Sequence, residues 1–255
     1  MIIKKIVQIV KSLIHKILFI LGIYTMGTVI GESFVLLRIL GRIRITHWER
    51  FPKYNRNPEL FRKGLIVVSN HPSLLEPLLV AGLFFTQYLV HPFKLSPYNI
   101  PEEKNYNNIW WQWARARIIW VDRESSEKAR QTFTKVKNIV NSGGIVILFP
   151  EGGRTFKRKK LYSQKGKAVA ILQEGIGLLI RKTQAPVLFI WVEGSEDFFP
   201  NTLWIDKKTS KFPFPRFWKK ITIKIGGIVF LDNKGSKERL TQEVAIRLLE
   251  LADED

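Results

Sequence analysis

A histidine and a glutamate lie five residues apart in the stretch Asn70-His71-Pro72-Ser73-Leu74-Leu75-Glu76. The stretch follows an apolar run at residues 65–69 that is typical of a buried strand. A carboxylate can hold one imidazole nitrogen and leave the other available as a base. The spacing therefore predicts a His71–Glu76 general base at a strand-to-helix corner. The alternative is that His71 caps the helix and Glu76 solvates it.

A second candidate site is the stretch Phe149-Pro150-Glu151-Gly152-Gly153-Arg154, which also follows an apolar run. Gly152 and Gly153 let the backbone approach a ligand closely. Arg154 can clamp a phosphate with two parallel hydrogen bonds, and Glu151 could hold Arg154 or a substrate hydroxyl. The alternative is an ordinary glycine-rich turn with a solvated arginine.

Asp122-Arg123 ends a third apolar run and supplies a second arginine. In open α/β sheets, ligands bind beyond the carboxyl ends of the strands. Because His71, Arg123 and Arg154 all follow predicted strands, we expect them to meet at one edge of the sheet.

Strands and helices alternate along the predicted elements. This alternation predicts an α/β fold, a mixed, mostly parallel sheet flanked by helices. Predicted strands lie at 65–69, 88–95, 117–121, 145–149, 186–192 and 221–231, and predicted helices at 73–85, 109–116, 125–140, 166–182 and 238–252.

The first 45 residues are a predicted membrane-associating helical segment, and residues 46–255 a predicted catalytic domain. The uncharged run 17–31 is shorter than the about 20 residues of a spanning helix, and Gly22, Gly27 and Gly31 disfavour a simple helix. Lysines precede this run. We therefore expect an interfacial or half-inserted segment, with a buried core helix as the alternative.

The charge balance favours anionic partners. The chain has 41 Lys+Arg against 22 Asp+Glu, a formal net charge of +19, with six of the basic residues at 157–167. It has no cysteine and four histidines without metal-ligand spacing, so we expect neither thiolate chemistry nor a metal site. No nucleic-acid-binding motif is present, and nucleic acid is not an expected partner.

Taken together, these stretches resemble the glycerolipid acyltransferases, the PlsC-like 1-acyl-glycerol-3-phosphate acyltransferase family. Four ordered blocks carry the resemblance: Asn70-His71 through Glu76, residues 120–123, residues 149–154, and the proline-led strand from Pro186. The family has aspartate where this chain has Glu76.

The resemblance implies transfer of a fatty acyl group from acyl-CoA or an acyl carrier protein to a lysophospholipid hydroxyl, with no bound cofactor. His71 is then the base and Glu76 its partner. The predicted substrate-binding residues are Arg123, Glu151, Gly152, Gly153 and Arg154, and the structural or acyl-site candidates are Asn70, Ser73 and Pro186.

The predicted location is the cytoplasmic face of a membrane, at an anionic surface. Two alternatives stay open. One is an acyltransferase acting on another alcohol or a glycolipid, and the other is a non-enzymatic basic module that binds membrane or nucleic acid.

Overall fold

The computed structural model describes residues 2–101, 117–121, 125–200, 214–232 and 234–255. Its strands are β1 (Ile43–Thr46), β2 (Leu65–Ser69), β3 (Tyr98–Asn99), β4 (Ile145–Leu148), β5 (Lys160–Tyr162), β6 (Ala168–Ala170), β7 (Val187–Glu193) and β8 (Ile221–Val229). Its helices are α1 (Ile2–Gly22), α2 (Thr28–Ile39), α3 (Pro58–Arg62), α4 (Glu76–Leu83), α5 (Phe85–Val90), α6 (Pro92–Leu95), α7 (Ser126–Asn141), α8 (Gly175–Thr183), α9 (Ser195–Phe198) and α10 (Lys237–Asp253).

The main sheet has the strand order β1-β8-β7-β2-β4-β3. Strands β7, β2, β4 and β3 are parallel neighbours, β8 runs antiparallel to β7, and β1 runs parallel to β8. The predicted mixed, mostly parallel sheet is thereby confirmed.

Helices cover both faces of this sheet because alternate residues of the central strands point to opposite sides. Leu65 and Val67 of β2 pack with a core that includes α4 and α2, whereas Ile66 and Val68 pack with α7, α8 and α10. Strand β2 is completely buried, which is why it reads in the sequence as a continuous apolar run.

Among the predicted elements that the structure describes, three are wrong. Residues 117–121 do not form a strand, and Ile118 makes only an isolated bridge with Asn99. The predicted helix at 109–116 lies outside the described residues. Residues 88–95 form α5 and α6 instead of a strand. Short apolar runs do not separate strand from helix. Here Tyr88 of α5 and Leu95 of α6 are buried in the core. The predicted helix at 166–182 begins instead with β6, which pairs antiparallel with β5 as a small hairpin, and becomes helical only in α8. Gly166, with φ of +77°, lies in the turn of that hairpin.

The N-terminal helix is unbroken from residue 2 to residue 39, with a π-helical turn at Ile23–Gly27 joining α1 and α2. The predicted departure from a simple helix near Gly22 and Gly27 takes the form of this π-helical turn, whereas Gly31 lies within regular α2. A Cβ on Gly31 would lie 1.9 Å from Cδ2 of Phe85. Tyr88 donates its hydroxyl proton to the Gly27 carbonyl at 2.6 Å. These glycines let α5 approach the helix closely.

Most of this helix lies outside the core. Among the described residues, Ile6–Ile39 is long and apolar enough to cross a membrane by length and composition, and only 12% of it is buried. Core burial along the helix begins at Phe19. The division at residue 45 stays a prediction; β1, which spans residues 43–46, pairs with β8 of the main sheet.

Candidate active site

The site forms at the carboxyl ends of three neighbouring parallel strands, β7, β2 and β4. Asn70 and His71 follow β2, Phe149 follows β4, and Ser195 follows β7. This is where open α/β sheets place their ligands. The sequence predicts that His71 and Arg154 lie at one edge of the sheet. The strand order explains this, because β2 and β4 are parallel neighbours.

His71 and Glu76 are in direct contact, with Nδ1 of the imidazole 2.8 Å from Oε2 of the carboxylate. The predicted helix at 73–85 begins later, at Glu76, so His71 lies in a bend before the helix. The bend lets the longer glutamate side chain turn back to the imidazole. Ser73 and Glu76 have the spacing of a capping box, and the Ser73 amide donates to Oε2 at 2.9 Å.

The Glu76 carboxylate is completely buried and accepts from two serine hydroxyls at its other oxygen. Oγ of Ser73 lies 2.7 Å from Oε1 and Oγ of Ser195 lies 2.5 Å from it. With the donors on Oε2, all of the roughly four acceptor positions of a carboxylate are used. The carboxylate is thus held in one orientation.

This geometry leaves His71 suited to act as a base. Since an ionised Glu76 carboxylate can only accept a hydrogen bond from Nδ1, that nitrogen carries the proton and Nε2 has the lone pair. The His71 side chain is 15% exposed, so a substrate hydroxyl can reach it. Phe149 stacks on the imidazole with ring centroids 4.6 Å apart and fixes its plane.

Asn70 extends the sheet beyond the end of β2. Its side-chain amide donates to the Val192 carbonyl and its side-chain oxygen accepts from the Val192 amide, both at 2.8 Å. The side chain thereby imitates a strand residue and joins the ends of β2 and β7. This contact is a structural one, and a role of Asn70 at the acyl site stays a prediction.

Glu151 braces the backbone of His71. Its Oε1 accepts from the His71 amide at 2.6 Å, and its Oε2 accepts from the Ala170 amide at 2.7 Å. The Thr155 amide in turn donates to the His71 carbonyl at 3.0 Å. Burial raises the pKa of the Glu151 carboxyl group, although the hydrogen bonds from the His71 and Ala170 amides act to lower it. Direct substrate contact by Glu151 stays a prediction.

Arg154 lies next to Thr155 and hence beside the His71 backbone. Its guanidinium is 5.2 Å from the ring centroid of Phe156. Arg158 donates to the Gly152 carbonyl at 3.0 Å, and a Cβ on Gly153 would lie 3.3 Å from Nε of Arg158. The glycines therefore give room to a second guanidinium in this loop.

Of the remaining predicted site residues, one lies outside the described part of the chain and one lies at the opposite end of its strand. Arg123 lies outside the described residues. Pro186 precedes β7, where its carbonyl accepts from the Ile66 amide. That position is the amino end of the strand, opposite the end that carries Asn70 and Ser195.

Sequence reasoning missed Ser195 and Arg158 as neighbours of the site, and it assigned no role to Phe149, the first residue of the second candidate stretch. Ser195 lies 119 residues from Glu76 along the chain, and no local pattern marks it. Arg158 lies four residues after the second candidate stretch, so proximity to it was the available signal. Within the described part of the chain, no group of three His, Asp or Glu side chains could hold a metal ion.

The family model described as Acyltransferase matches residues 42–193, well over half of the chain. Among solved structures, the chain is similar to the 1-acyl-sn-glycerophosphate (LPA) acyltransferase PlsC from Thermotoga maritima. The two share 19% sequence identity with a TM-score of 0.48, over 96% of this chain and 100% of that one. A comparison with curated proteins finds no match. The matched segment includes His71, Glu76, Glu151 and Arg154, and on this evidence the chain belongs to the Acyltransferase family and is an acyltransferase.

Proposed function

We propose that the protein transfers a fatty acyl group from a thioester, acyl-CoA or acyl carrier protein, to the free hydroxyl of a lysophospholipid. The preferred acceptor is 1-acyl-glycerol-3-phosphate and the product phosphatidic acid. The observation that carries the proposal is the buried Glu76 carboxylate on Nδ1 of His71, at the sheet edge that also holds the Arg154 loop.

The reaction proceeds through the available nitrogen of His71. Nε2 takes the proton of the acceptor hydroxyl as its oxygen attacks the thioester carbonyl carbon. The carbon–sulfur bond breaks, and the leaving thiolate takes the proton from the imidazolium. Glu76 stabilises the imidazolium between these steps. A positioned general base contributes about 10²–10⁴ in rate, and binding of both substrates at one edge supplies proximity.

Arginine residues are proposed to bind the phosphate of the acceptor. A guanidinium matches a phosphate with two parallel hydrogen bonds, and Arg154 precedes the residue whose amide is bonded to His71. Arg123 is the proposed second phosphate ligand, on its sequence position alone. Gly152 and Gly153 would let the glycerol moiety approach the loop backbone.

The proposed place of action is the cytoplasmic face of a membrane, at an anionic surface. Residues 6–14 and 16–18 of α1 are exposed, and they include apolar side chains on one side and Lys11 and Lys16. An exposed helix of this composition partitions its apolar side chains into the interface and its lysines among anionic headgroups. The formal net charge of +19 also favours binding to an anionic membrane surface.

The test is release of free thiol from palmitoyl-CoA by the full chain in mixed micelles with lysophosphatidic acid. We expect release with wild type, none with His71→Ala at an unchanged melting temperature, and normal release with His91→Ala, a histidine outside the site. Release that persists in His71→Ala contradicts the mechanism. Because no bound cofactor or metal is proposed, chelation with EDTA should leave the rate unchanged.

Acceptor identity is tested in the same assay. A monoacylglycerol, which lacks the phosphate, should be a poor acceptor. Strong preference for a non-phosphorylated alcohol or a glycolipid would favour the alternative acyltransferase activity. Absence of release with every acceptor and both donor types would favour a non-enzymatic membrane-binding module.

A further inference from the structure

The hydroxyl of Ser195 reaches the Glu76 carboxylate from a part of the chain outside the sequence motifs that predict the site. Strand β7 ends at Glu193, Gly194 adopts a φ of +76°, and Ser195 begins the short helix α9. A Cβ on Gly194 would lie 2.4 Å from the Lys220 carbonyl, so this tight turn requires glycine. The turn delivers a completely buried hydroxyl to Oε1 of Glu76 at 2.5 Å.

The two serine hydroxyls at Oε1 connect the Glu76 carboxylate to different parts of the chain. Ser73 belongs to the same bend as His71, whereas Ser195 lies two residues after the end of β7. The two hydrogen bonds between the Asn70 side chain and the Val192 backbone already join the ends of β2 and β7. The Ser195 hydrogen bond adds a second link between these two parts of the chain, three residues after Val192. In the described structure this hydrogen bond connects the Glu76 carboxylate to the segment that follows β7.

The last torsion of a glutamate side chain is soft, because it joins a tetrahedral to a planar carbon. The carboxylate plane must therefore be set from outside. Nδ1 of His71 bonds Oε2 and the Ser195 hydroxyl bonds Oε1. A hydrogen bond that fixes Oε1 therefore also fixes the orientation of Oε2 relative to the imidazole.

Ser195 is unsuited to be the nucleophile itself. Its side chain is fully buried, and its hydroxyl is bonded to Glu76 instead of the imidazole. A serine nucleophile needs a base within hydrogen-bond reach and access to the substrate.

We infer that Ser195 is a positioning residue of the reaction, which holds the Glu76 carboxylate so that His71 keeps its proton on Nδ1 and its lone pair on Nε2. The inference rests on the proposed function for its kinetic consequence only. Removing the hydroxyl frees the carboxylate to turn, and the imidazole loses its single orientation. We expect kcat to fall roughly 10- to 100-fold, the loss of one charge-assisted hydrogen bond, with KM for the acceptor unchanged.

The kinetic experiment compares Ser195→Ala and Ser195→Cys with wild type. Cysteine nearly preserves the volume but is a weak donor, so it should lose activity as alanine does if the hydrogen bond matters. Ser195→Thr, which keeps the hydroxyl, should retain more activity than either. The matched control is Ser163→Ala, which removes a 2.6 Å serine–carboxylate hydrogen bond to Asp253, away from the site, and should leave kcat unchanged.

A double variant tests whether Ser195 acts through Glu76. In a Glu76→Ala background, Ser195→Ala should cause no further loss of kcat. A further loss of the same size would overturn the inference, as would a Ser195→Ala variant that alters KM alone or retains full kcat.

A substrate-free measurement separates this inference from the proposed function. With only four histidines in the chain, ¹⁵N-labelled imidazole signals can be assigned, using His71→Ala. In wild type, neutral His71 should be the Nδ1–H tautomer, and Ser195→Ala should show a lower share of that tautomer. An unchanged share would overturn the inference even in an active enzyme. A lower share in a protein that releases no thiol would support it while the proposed function fails.

Discussion

Replacing Glu151 with glutamine tests whether this buried carboxylate positions the catalytic histidine. Its two oxygens accept from the His71 and Ala170 amides at 2.6 and 2.7 Å. Glutamine has the same shape but presents one oxygen and one NH₂ group. One of the two backbone amides must then face a donor inside the protein.

The magnitude follows from these two contacts. A buried donor left without an acceptor costs about 1–3 kcal/mol, and we expect the free energy of unfolding to fall by this amount. Since the amide of His71 itself is involved, activity should fall as well. A displacement of about 1 Å at a catalytic group can cost on the order of 10²-fold in rate, and we expect kcat of Glu151→Gln to fall at least 10-fold.

The stability loss should depend on pH. Burial raises the pKa of Glu151 in the folded protein. A group of this kind contributes stability that is fully present below its unfolded pKa and is lost as the pH rises through the folded pKa. Glutamine does not titrate. The difference in unfolding free energy between wild type and Glu151→Gln should therefore be largest in acid and shrink as the pH rises above the ordinary glutamate range.

Stability is measured by urea unfolding of the full chain in detergent at a series of pH values, monitored by tryptophan fluorescence. Activity is measured by thiol release. Glu193→Gln is the control, because that carboxylate bonds the side chains of Trp191 and Lys167 and not the His71 loop. Wild-type kcat in Glu151→Gln would refute the positioning role. A stability difference that grows with rising pH would refute the dominance of burial over the amide donors.

Three further predictions concern other contacts. Glu76→Asp should retain far more activity than Glu76→Gln, because the amide group of glutamine would face donors; the reverse order in kcat would contradict an orienting carboxylate. Arg154→Gln should raise KM for lysophosphatidic acid about 10-fold, the loss of a charge-assisted hydrogen bond, and leave KM for monoacylglycerol unchanged; an equal rise for both acceptors would argue against phosphate binding. Gly31→Leu should lower the melting temperature, because its side chain would overlap Phe85; Gly175→Ala, with open space around its Cβ position, is the control, and equal melting temperatures would contradict close helix packing.

Local patterns predicted the central strands and the order of the motifs. The run at 65–69 and most of the run at 145–149 are strands in the structure, β2 and β4, because a strand buried on both faces is apolar throughout. The placement of His71 and Arg154 at one edge followed, since parallel neighbours have their carboxyl ends together. The His71–Glu76 contact needed only five residues of chain.

Local patterns failed where the tertiary environment decides between alternatives. The apolar residues of 88–95 suit a strand or a helix equally, and the core beneath Tyr88 and Leu95 selects helices. The glycines of the N-terminal helix have a low intrinsic preference for helix. There, packing against Phe85 and Tyr88 makes small residues favourable.

The sequence by itself determined which residues can do the chemistry, a histidine with an acid and an arginine beyond buried strands. Only the tertiary structure decided how they are held. The Ser195 hydroxyl bonds Glu76 from 119 residues away along the chain, and Glu151 accepts from the backbone amide of His71. Contacts of this kind depend on strand order and on turns such as that at Gly194, and a one-dimensional pattern does not contain the distance between two strand ends.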